Sequence, residues 1–176
     1  MLQRDYIQRL IREFMEALRR TLEKDEISVR RETIRRLYEQ YLGPYILYHF
    51  ATIDEVMMGM QSYPEEERLD RLAMLAELYY AEADTEASVE DRETMLQKAF
   101  NLFDYIERNT TVYSLERREK MAELYYAEAD TEASVEDRET MLQKAFNLFD
   151  YIERNTTVYS LERREKMAEL VKKLSK

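Results

Sequence analysis

Cysteine is missing from this sequence, and glycine, proline and histidine are nearly missing. The 176 residues include no Cys, two Gly, two Pro and one His. The lack of Cys excludes disulfides, thiolate metal sites and a cysteine nucleophile, and it gives no sign of an oxidising compartment. A single His excludes metal sites built from several histidines and leaves little for acid–base catalysis. We therefore expect no catalytic, cofactor-binding or metal-binding residues, and a protein that is not an enzyme.

The scarcity of turn residues also limits the fold class. β-Hairpins, βαβ loops and barrels need turn chemistry that two Gly and two Pro cannot supply. A chain of this length can bury a sizeable core without disulfides or structural metals. The sequence therefore predicts an all-α protein whose helices are joined by short polar connections.

Acidic residues outnumber basic ones, and the excess is uneven. The first 50 residues contain ten Lys or Arg and eight Asp or Glu, whereas the remainder contains seventeen and twenty-nine. The acidic part would repel nucleic acid, and no basic stripe with interleaved aromatic residues occurs. No stretch approaches the roughly 18 apolar residues of a membrane span. We expect a cytoplasmic protein that binds neither nucleic acid nor membranes.

An internal repeat dominates the chain. Residues 76–124 and 122–170 are identical at an offset of 46, without one substitution. Repeats normally drift while they keep their core pattern, so identity that extends to loop residues indicates either a very recent duplication or deliberate engineering. Ala-Glu-Leu opens both copies and recurs at 168–170, so removal of one unit leaves a parent of 130 residues. The sequence thus describes a parent domain extended by one helical hairpin.

Helix boundaries follow from apolar periodicity and from capping residues. Gly43-Pro44 is typical of a helix end, and Thr52 and Ser62 each fit a capping box. The apolar run at 45–50 is expected to be a short buried turn of helix. Helices are predicted at about 2–23, 28–42, 53–60, 64–84 and 161–174, with others opened by Ser88, Ser114 and Ser134.

These helices suggest four segments within one continuous domain. An N-terminal helical segment covers 1–63, and a first helical hairpin covers 64–113. The duplicated hairpin follows at 114–159, and a capping helix occupies 160–176.

Residues 64–174 resemble tetratricopeptide-like helical-hairpin repeats. Ala99 with Phe103, and Ala145 with Phe149, match the small residue that this family follows with an aromatic one turn later. The resemblance implies antiparallel hairpins stacked as a short solenoid, with a protein or peptide as partner. The 130-residue parent is also similar to an uncharacterised family of bacterial proteins that combine an N-terminal helix with such a hairpin. That family has no known activity to carry over.

Two features invite a functional interpretation that the sequence does not support. The acidic run from Glu82 to Glu93 recurs in the second copy, yet a calcium loop counted from Asp84 would place Val89 at the glycine position and Met95 at the glutamate position. We expect a solvated turn instead. His49 has no acidic neighbour in sequence, so a histidine at the edge of the core is expected.

The fourteen tyrosines offer one candidate contact surface. In the pairs Tyr79-Tyr80 and Tyr125-Tyr126, helical spacing favours an inward position for the first residue of each pair. Tyr80 and Tyr126 remain candidates for a protein-contact surface, since Tyr anchors interfaces at low entropic cost. The expected function is a non-enzymatic helical repeat scaffold that is at most a protein-interaction module. The alternative is a homo-oligomerisation module.

Overall fold

The computed structural model describes residues 2–175, with side chains from residue 4 onward. Met1, in the predicted N-terminal segment, and Lys176, at the end of the predicted cap, lie outside this range. The described residues form nine α-helices and one short 3₁₀ helix, and none of them lies in a β-strand. The predicted all-α class is confirmed. The α-helices are α1 (Leu2–Leu22), α2 (Ile27–Tyr41), α3 (Tyr45–Phe50), α4 (Ile53–Gly59), α5 (Glu65–Ala83), α6 (Val89–Asn109), α7 (Leu115–Thr131), α8 (Val135–Asn155) and α9 (Leu161–Leu174).

The chain forms two compact units, Met1–Thr110 and Thr111–Lys176. In the first unit α1, α2 and α5 pack against one another, and α5 also pairs with α6. Phe14 and Tyr79 are fully buried there. In the second unit α7 pairs with α8, and α8 pairs with α9. Within residues 2–175, no helix combines the length and the apolar character that a membrane crossing requires.

Each copy of the repeat forms a pair of helices joined by a short turn. In the second unit Lys144 of α8 lies 5.2 Å from the ring centre of Tyr125 of α7. Further along, Arg118 of α7 lies 4.3 Å from the ring centre of Tyr151 of α8. Because the residue number rises along one helix as it falls along the other, α7 and α8 are antiparallel. The first copy has the equivalent contact, with Lys98 5.3 Å from the ring centre of Tyr79.

Most helices begin at the capping residues that the sequence predicts. The Thr52 hydroxyl accepts a hydrogen bond from the Glu55 backbone, and the Glu55 carboxylate accepts one from the Thr52 backbone, which completes a capping box. Each of the four serines in the repeats accepts a hydrogen bond from the backbone N–H three residues on, as an N-cap does; these are Ser88, Ser114, Ser134 and Ser160.

A glycine terminates α2 for a conformational reason. Gly43 has a φ of +135°, a value that side chains with a Cβ rarely adopt. Its N–H donates to the Tyr38 carbonyl at 2.8 Å, which satisfies one of the last carbonyls of α2. The predicted stop at Gly43-Pro44 is confirmed.

Two local predictions are wrong. Ser62 does not cap α5, because its hydroxyl donates to the Gly59 carbonyl at 2.8 Å inside the 3₁₀ turn, and α5 begins after Pro64 without a side-chain cap. The run at 45–50 is helical but not buried, since Ile46 and Phe50 are 66% and 74% exposed. This short helix turns its polar residues inward, toward hydrogen-bond partners on α5.

The two copies differ at one helix end despite their identical sequences. α5 ends at Ala83, whereas α7 continues to Thr131, the counterpart of Thr85. In the first copy the Thr85 N–H donates to the Glu82 carbonyl at 2.8 Å in a tight turn, and the Arg31 guanidinium donates to the Thr85 carbonyl. The N-terminal segment therefore changes the end of the helix.

Candidate functional site

The single histidine has an acidic partner that lies far away in sequence. His49 projects from α3, and its Nδ1 lies 2.7 Å from Oε1 of Glu82, near the end of α5. The Glu82 side chain is only 2% exposed, and the His49 side chain is 19% exposed. The expectation of a solvated acidic run is wrong for Glu82. The expectation that His49 sits at the edge of the core agrees with its partial burial.

Two tyrosine hydroxyls complete the surroundings of the Glu82 carboxylate. Tyr38 donates to Oε2 at 2.7 Å, and Tyr45 donates to Oε1 at 2.6 Å. The Tyr45 oxygen also lies 2.8 Å from Nδ1 of His49. Burial first, and then the charge of Glu82 and its hydrogen bond to each hydroxyl, raise the pKa of both tyrosines. Both phenols therefore remain protonated donors at neutral pH.

A second carboxylate lies beside this network. Glu86 follows Glu82 by four residues, beyond the end of α5, and its side chain is partly exposed. One ligand atom from each of His49, Glu82 and Glu86 lies within 4.8 Å of the others. We refer to Tyr38, Tyr45, His49, Glu82 and Glu86 as the Glu82 cluster.

Two cations near the Glu82 cluster contact groups other than the Glu82 carboxylate. Lys98 donates from Nζ to the His49 carbonyl at 2.6 Å, and burial lowers the pKa of this lysine, an effect that the charges of Glu82 and Glu55 oppose. The Arg35 guanidinium lies 5.0 Å from the ring centre of Tyr45. Among the described residues, His49 is the one basic side chain within ion-pair distance of the Glu82 carboxylate.

The second copy carries the same carboxylates in different surroundings. Glu128 and Glu132 are the counterparts of Glu82 and Glu86, and both are partly exposed. Burial, followed by the charge of Glu132, raises the pKa of Glu128. The tyrosines and the histidine of the Glu82 cluster come from α2 and α3, which the duplication does not repeat. Each copy of the repeat therefore supplies two carboxylates. In the first copy, the N-terminal segment adds the tyrosines and the histidine that complete the cluster.

The tyrosine pairs pack as the helical spacing predicts for their first members. Tyr79 is fully buried, and Tyr125 is 9% exposed. Tyr80 is partly exposed, with its ring 6.5 Å from that of Phe103 in an edge-on contact. Tyr126 is also partly exposed, and the Lys173 ammonium of α9 lies 4.4 Å from its ring centre. The use of Tyr80 and Tyr126 as a contact surface stays a prediction.

More exposed aromatic residues, which the apolar periodicity of the helices does not predict, lie in the links between hairpins. Val158 and Tyr159 are 70% and 64% exposed before α9, and Val112 and Tyr113 are 70% and 65% exposed before α7. The Arg164 guanidinium lies 4.8 Å from the ring centre of Tyr159, and Arg118 lies 4.6 Å from that of Tyr113. The repeated Val-Tyr pair in an otherwise polar link was the signal that could have revealed them.

The spacing of apolar residues before Glu82 also indicates that its side chain is buried. Leu75, Leu78 and Tyr79 are buried and lead to Glu82 at helical spacing of three and four residues. A carboxylate on the apolar stripe of a helix needs buried partners, and the donors in the network have this role.

No family model, curated protein or solved structure matches this sequence.

The Glu82 cluster has a limited chemical repertoire. The Glu82 carboxylate contacts Nδ1 of the imidazole at 2.7 Å and fixes the orientation of the ring. The imidazole and the two carboxylates are groups that bind divalent metal ions. The cluster can therefore lock α2, α3 and α5 together, and it presents a nitrogen and two oxygen ligands at one place.

Proposed function

We propose that this chain is a non-enzymatic helical repeat scaffold, formed from a helical domain that an identical hairpin duplication extends. It acts at most as a protein-interaction module. The hairpins stack as a short tetratricopeptide-like solenoid, because a hairpin with two apolar sides cannot bury both of them alone.

The observation that carries this proposal is the relation of α7 to α9 in the second unit. Ion pairs join these helices along their length: Glu119 with Arg163 at 2.9 Å, Glu123 with Lys166 at 3.0 Å, and Asp130 with Lys173 at 2.7 Å. The paired residues are 44, 43 and 43 positions apart, close to the repeat length. α9 therefore runs parallel to α7, and α8 returns antiparallel between their ends.

This arrangement supports stacking because α9 repeats the sequence of α7. Residues 161–170 are identical to 115–124, so α9 has the sequence of the first helix of a hairpin. First helices that lie side by side in one direction are what a stack of hairpins requires. A further copy of the repeat could therefore add another hairpin in the same orientation.

The Glu82 cluster supports a scaffold with a defined beginning. Its hydrogen bonds join α2 and α3 of the N-terminal segment to α5 of the first hairpin. An array of repeats needs terminal segments that cover its end faces. We assign this role to residues 1–63.

Deletion of one repeat tests the proposal directly. Removal of residues 76–121 joins Leu75 to Ala122 and leaves 130 residues with both terminal segments. A scaffold of stacked units should keep its helical circular-dichroism spectrum and unfold cooperatively with a smaller urea m-value, because less surface becomes exposed. A 130-residue chain without helical structure would contradict the proposal, since the duplication would then be required for folding.

A second candidate function is homo-oligomerisation, which one observation favours. Four large apolar side chains of α3 and α4 are more than 60% exposed: Ile46, Leu47, Phe50 and Met58. Light scattering over a dilution series separates the two candidates. A scaffold should be monomeric without its partner, whereas an oligomerisation module should dissociate on dilution and become monomeric when Phe50 and Leu47 are replaced by Ser.

A further inference from the structure

We propose that His49, Glu82 and Glu86 bind one divalent transition-metal ion of the zinc class. The ion would connect α3 to the turn between α5 and α6. It would stabilise the junction of the N-terminal segment with the first hairpin. This role is structural and adds to the scaffold function.

The distances allow one ion to reach all three ligands. Ligand atoms from His49, Glu82 and Glu86 lie within 4.8 Å of one another. Two nitrogen or oxygen ligands at about 2.1 Å from one Zn²⁺ lie roughly 3–4 Å apart. A separation at the 4.8 Å limit would have to shrink by about 1 Å. Glu86 can make this movement because its side chain has three rotatable bonds and is partly exposed.

Glu86 has a carboxylate that other side chains do not occupy. Among the described residues, none forms an ion pair or a side-chain hydrogen bond with it. The partly exposed position of Glu86 also gives an ion a path from solvent to the buried Glu82. A carboxylate without a partner, next to a carboxylate and an imidazole, is what a metal site needs from its third ligand.

The tyrosines provide the outer hydrogen bonds of such a site. Tyr38 donates to Oε2 of Glu82 and fixes the carboxylate plane, which leaves Oε1 directed toward His49. Tyr45 donates to the same Oε1 and would remain a donor to the ligating oxygen. Hydrogen bonds of this kind orient metal ligands, and their loss typically weakens metal affinity by about 10- to 100-fold.

The charges also favour a divalent ion. Glu82 is 2% exposed and accepts hydrogen bonds from two neutral hydroxyls, and among the described residues no Lys or Arg forms an ion pair with it. The Lys98 ammonium donates to a backbone carbonyl instead. Two carboxylates, a neutral imidazole and one divalent ion make a neutral set. An imidazole among the ligands favours Zn²⁺, Co²⁺ or Fe²⁺ over Mg²⁺ and Ca²⁺, which prefer oxygen ligands alone.

Titration calorimetry with Zn²⁺ in excess Mg²⁺ tests this site on the full chain. Mg²⁺ suppresses weak binding to surface carboxylates, so we expect one equivalent of Zn²⁺ per chain. Glu86→Gln and His49→Gln should each weaken binding at least about tenfold. Glu132→Gln removes the same residue from the second copy, where no histidine is present, and it should leave binding unchanged. Visible absorption of bound Co²⁺ should follow the same pattern.

Three results would overturn the proposal. The first is the absence of any Zn²⁺ equivalent in the unaltered chain. The second is unchanged affinity in Glu86→Gln, a partly exposed position where substitution should not prevent folding. The third is an equal loss in Glu132→Gln, which would indicate surface binding. Zn²⁺ at one fixed concentration should also raise the melting temperature of the unaltered chain and of Glu132→Gln more than that of Glu86→Gln.

Discussion

Glu82 and Glu128 occupy the same position in two identical stretches of sequence, yet their carboxylates meet different partners. Glu82 accepts hydrogen bonds from Tyr38 and Tyr45 and contacts His49. Glu128 is partly exposed, and burial, followed by the charge of Glu132, raises its pKa. The difference arises from α2 and α3, because those helices occur once.

A paired substitution should show how much the network stabilises the fold. Glu82→Gln replaces one acceptor oxygen with an NH₂ donor that faces hydroxyl donors, so we expect the free energy of unfolding to fall by about 1–3 kcal/mol. Glu128→Gln removes a charge that burial disfavours and should be neutral or slightly stabilising. Urea unfolding of both variants measures the contrast. An equal loss in both would mean that the tyrosines contribute little.

Tyr48 should make the stability of the first unit sensitive to alkaline pH. Burial, followed by Tyr63, raises the pKa of Tyr48 to about 12, above the ordinary value of 10.0. A raised folded-state pKa stabilises the protein fully below pH 10, and this stabilisation disappears as the pH rises from 10 through 12. Because Tyr48 is only half-buried, we expect its contribution to the free energy of unfolding to be about 1 kcal/mol after solvent screening.

Urea unfolding at several pH values between about 9 and 11 checks this expectation. The free energy of unfolding should fall as the pH rises, and Tyr48→Phe should reduce the slope. Tyr38, Tyr45 and Tyr79, whose pKa values burial also raises, contribute in the same direction. A slope identical in Tyr48→Phe and the unaltered chain would exclude a contribution from Tyr48.

At the scale of helices, Arg163 makes polar contacts that connect α9 to its neighbouring helices. Its side chain is 5% exposed and donates to Glu119 at 2.9 Å, to Glu153 at 3.0 Å and to the Val158 carbonyl at 2.9 Å. It therefore joins α9 to both α7 and α8. The two carboxylates are partly exposed, so water screens them more than it screens the arginine.

Arg163→Met should cost about 2 kcal/mol of unfolding free energy. The substitution removes three hydrogen bonds and leaves two carboxylates without their arginine, but partial exposure keeps the cost below that of a fully buried pair. Arg164→Met is the matched control, because Arg164 also pairs with Glu153 but is 56% exposed. The control should change stability by less than about 0.5 kcal/mol. Equal effects would contradict a special role for Arg163.

The sequence predicts the helices well because their signals are local. Serine caps, the Thr52 capping box and the Gly43 stop all act within a few residues, and each is found in the structure. The polar, inward face of α3 could not be predicted, since it depends on a carboxylate that lies 33 residues away from His49. The contact between Glu82 and His49 could not be predicted for the same reason.

The ends of α5 and α7 mark the limit of local prediction. Thr85 and Thr131 have identical neighbours in sequence, yet Thr131 is helical and exposed while Thr85 is in a turn and 2% exposed. No rule that reads a short window can distinguish them. The difference comes from the Arg31 guanidinium and from burial, which are tertiary effects.

At the scale of the whole molecule, the last residues of α9 should act as a solubilising cap. Where Tyr125 and Tyr126 continue α7, Val171 and Lys172 continue α9, and both of these are exposed. Lys173 pairs with Asp130 at 2.7 Å and covers the ring of Tyr126. Lysines near a helix C-terminus also interact favourably with the helix dipole, by roughly 0.3–1 kcal/mol each.

Replacement of Val171-Lys172-Lys173 by Tyr-Tyr-Ala should cause concentration-dependent association. The variant places two aromatic rings at positions of α9 that are exposed in the described structure, and it removes the contacts of Lys173 with Asp130 and Tyr126. Sedimentation velocity at rising concentration measures the effect. A variant as monomeric as the unaltered chain would show that the cap is not needed for solubility.

The duplication also gives the molecule an internal spectroscopic reference. Forty-nine residues, 76–124, have identical counterparts at 122–170, so most nuclear magnetic resonance signals from this stretch come in pairs. The effects of residue type and sequence neighbours cancel within a pair, and the remaining difference in chemical shift reports tertiary surroundings alone. Signals of Glu90 and Glu136, both exposed, should nearly coincide. The signals of Glu82 and Glu128 should have clearly different chemical shifts. A pair of equivalent residues whose signals differ therefore identifies a position where tertiary contacts, and not the neighbouring sequence, determine the electronic environment.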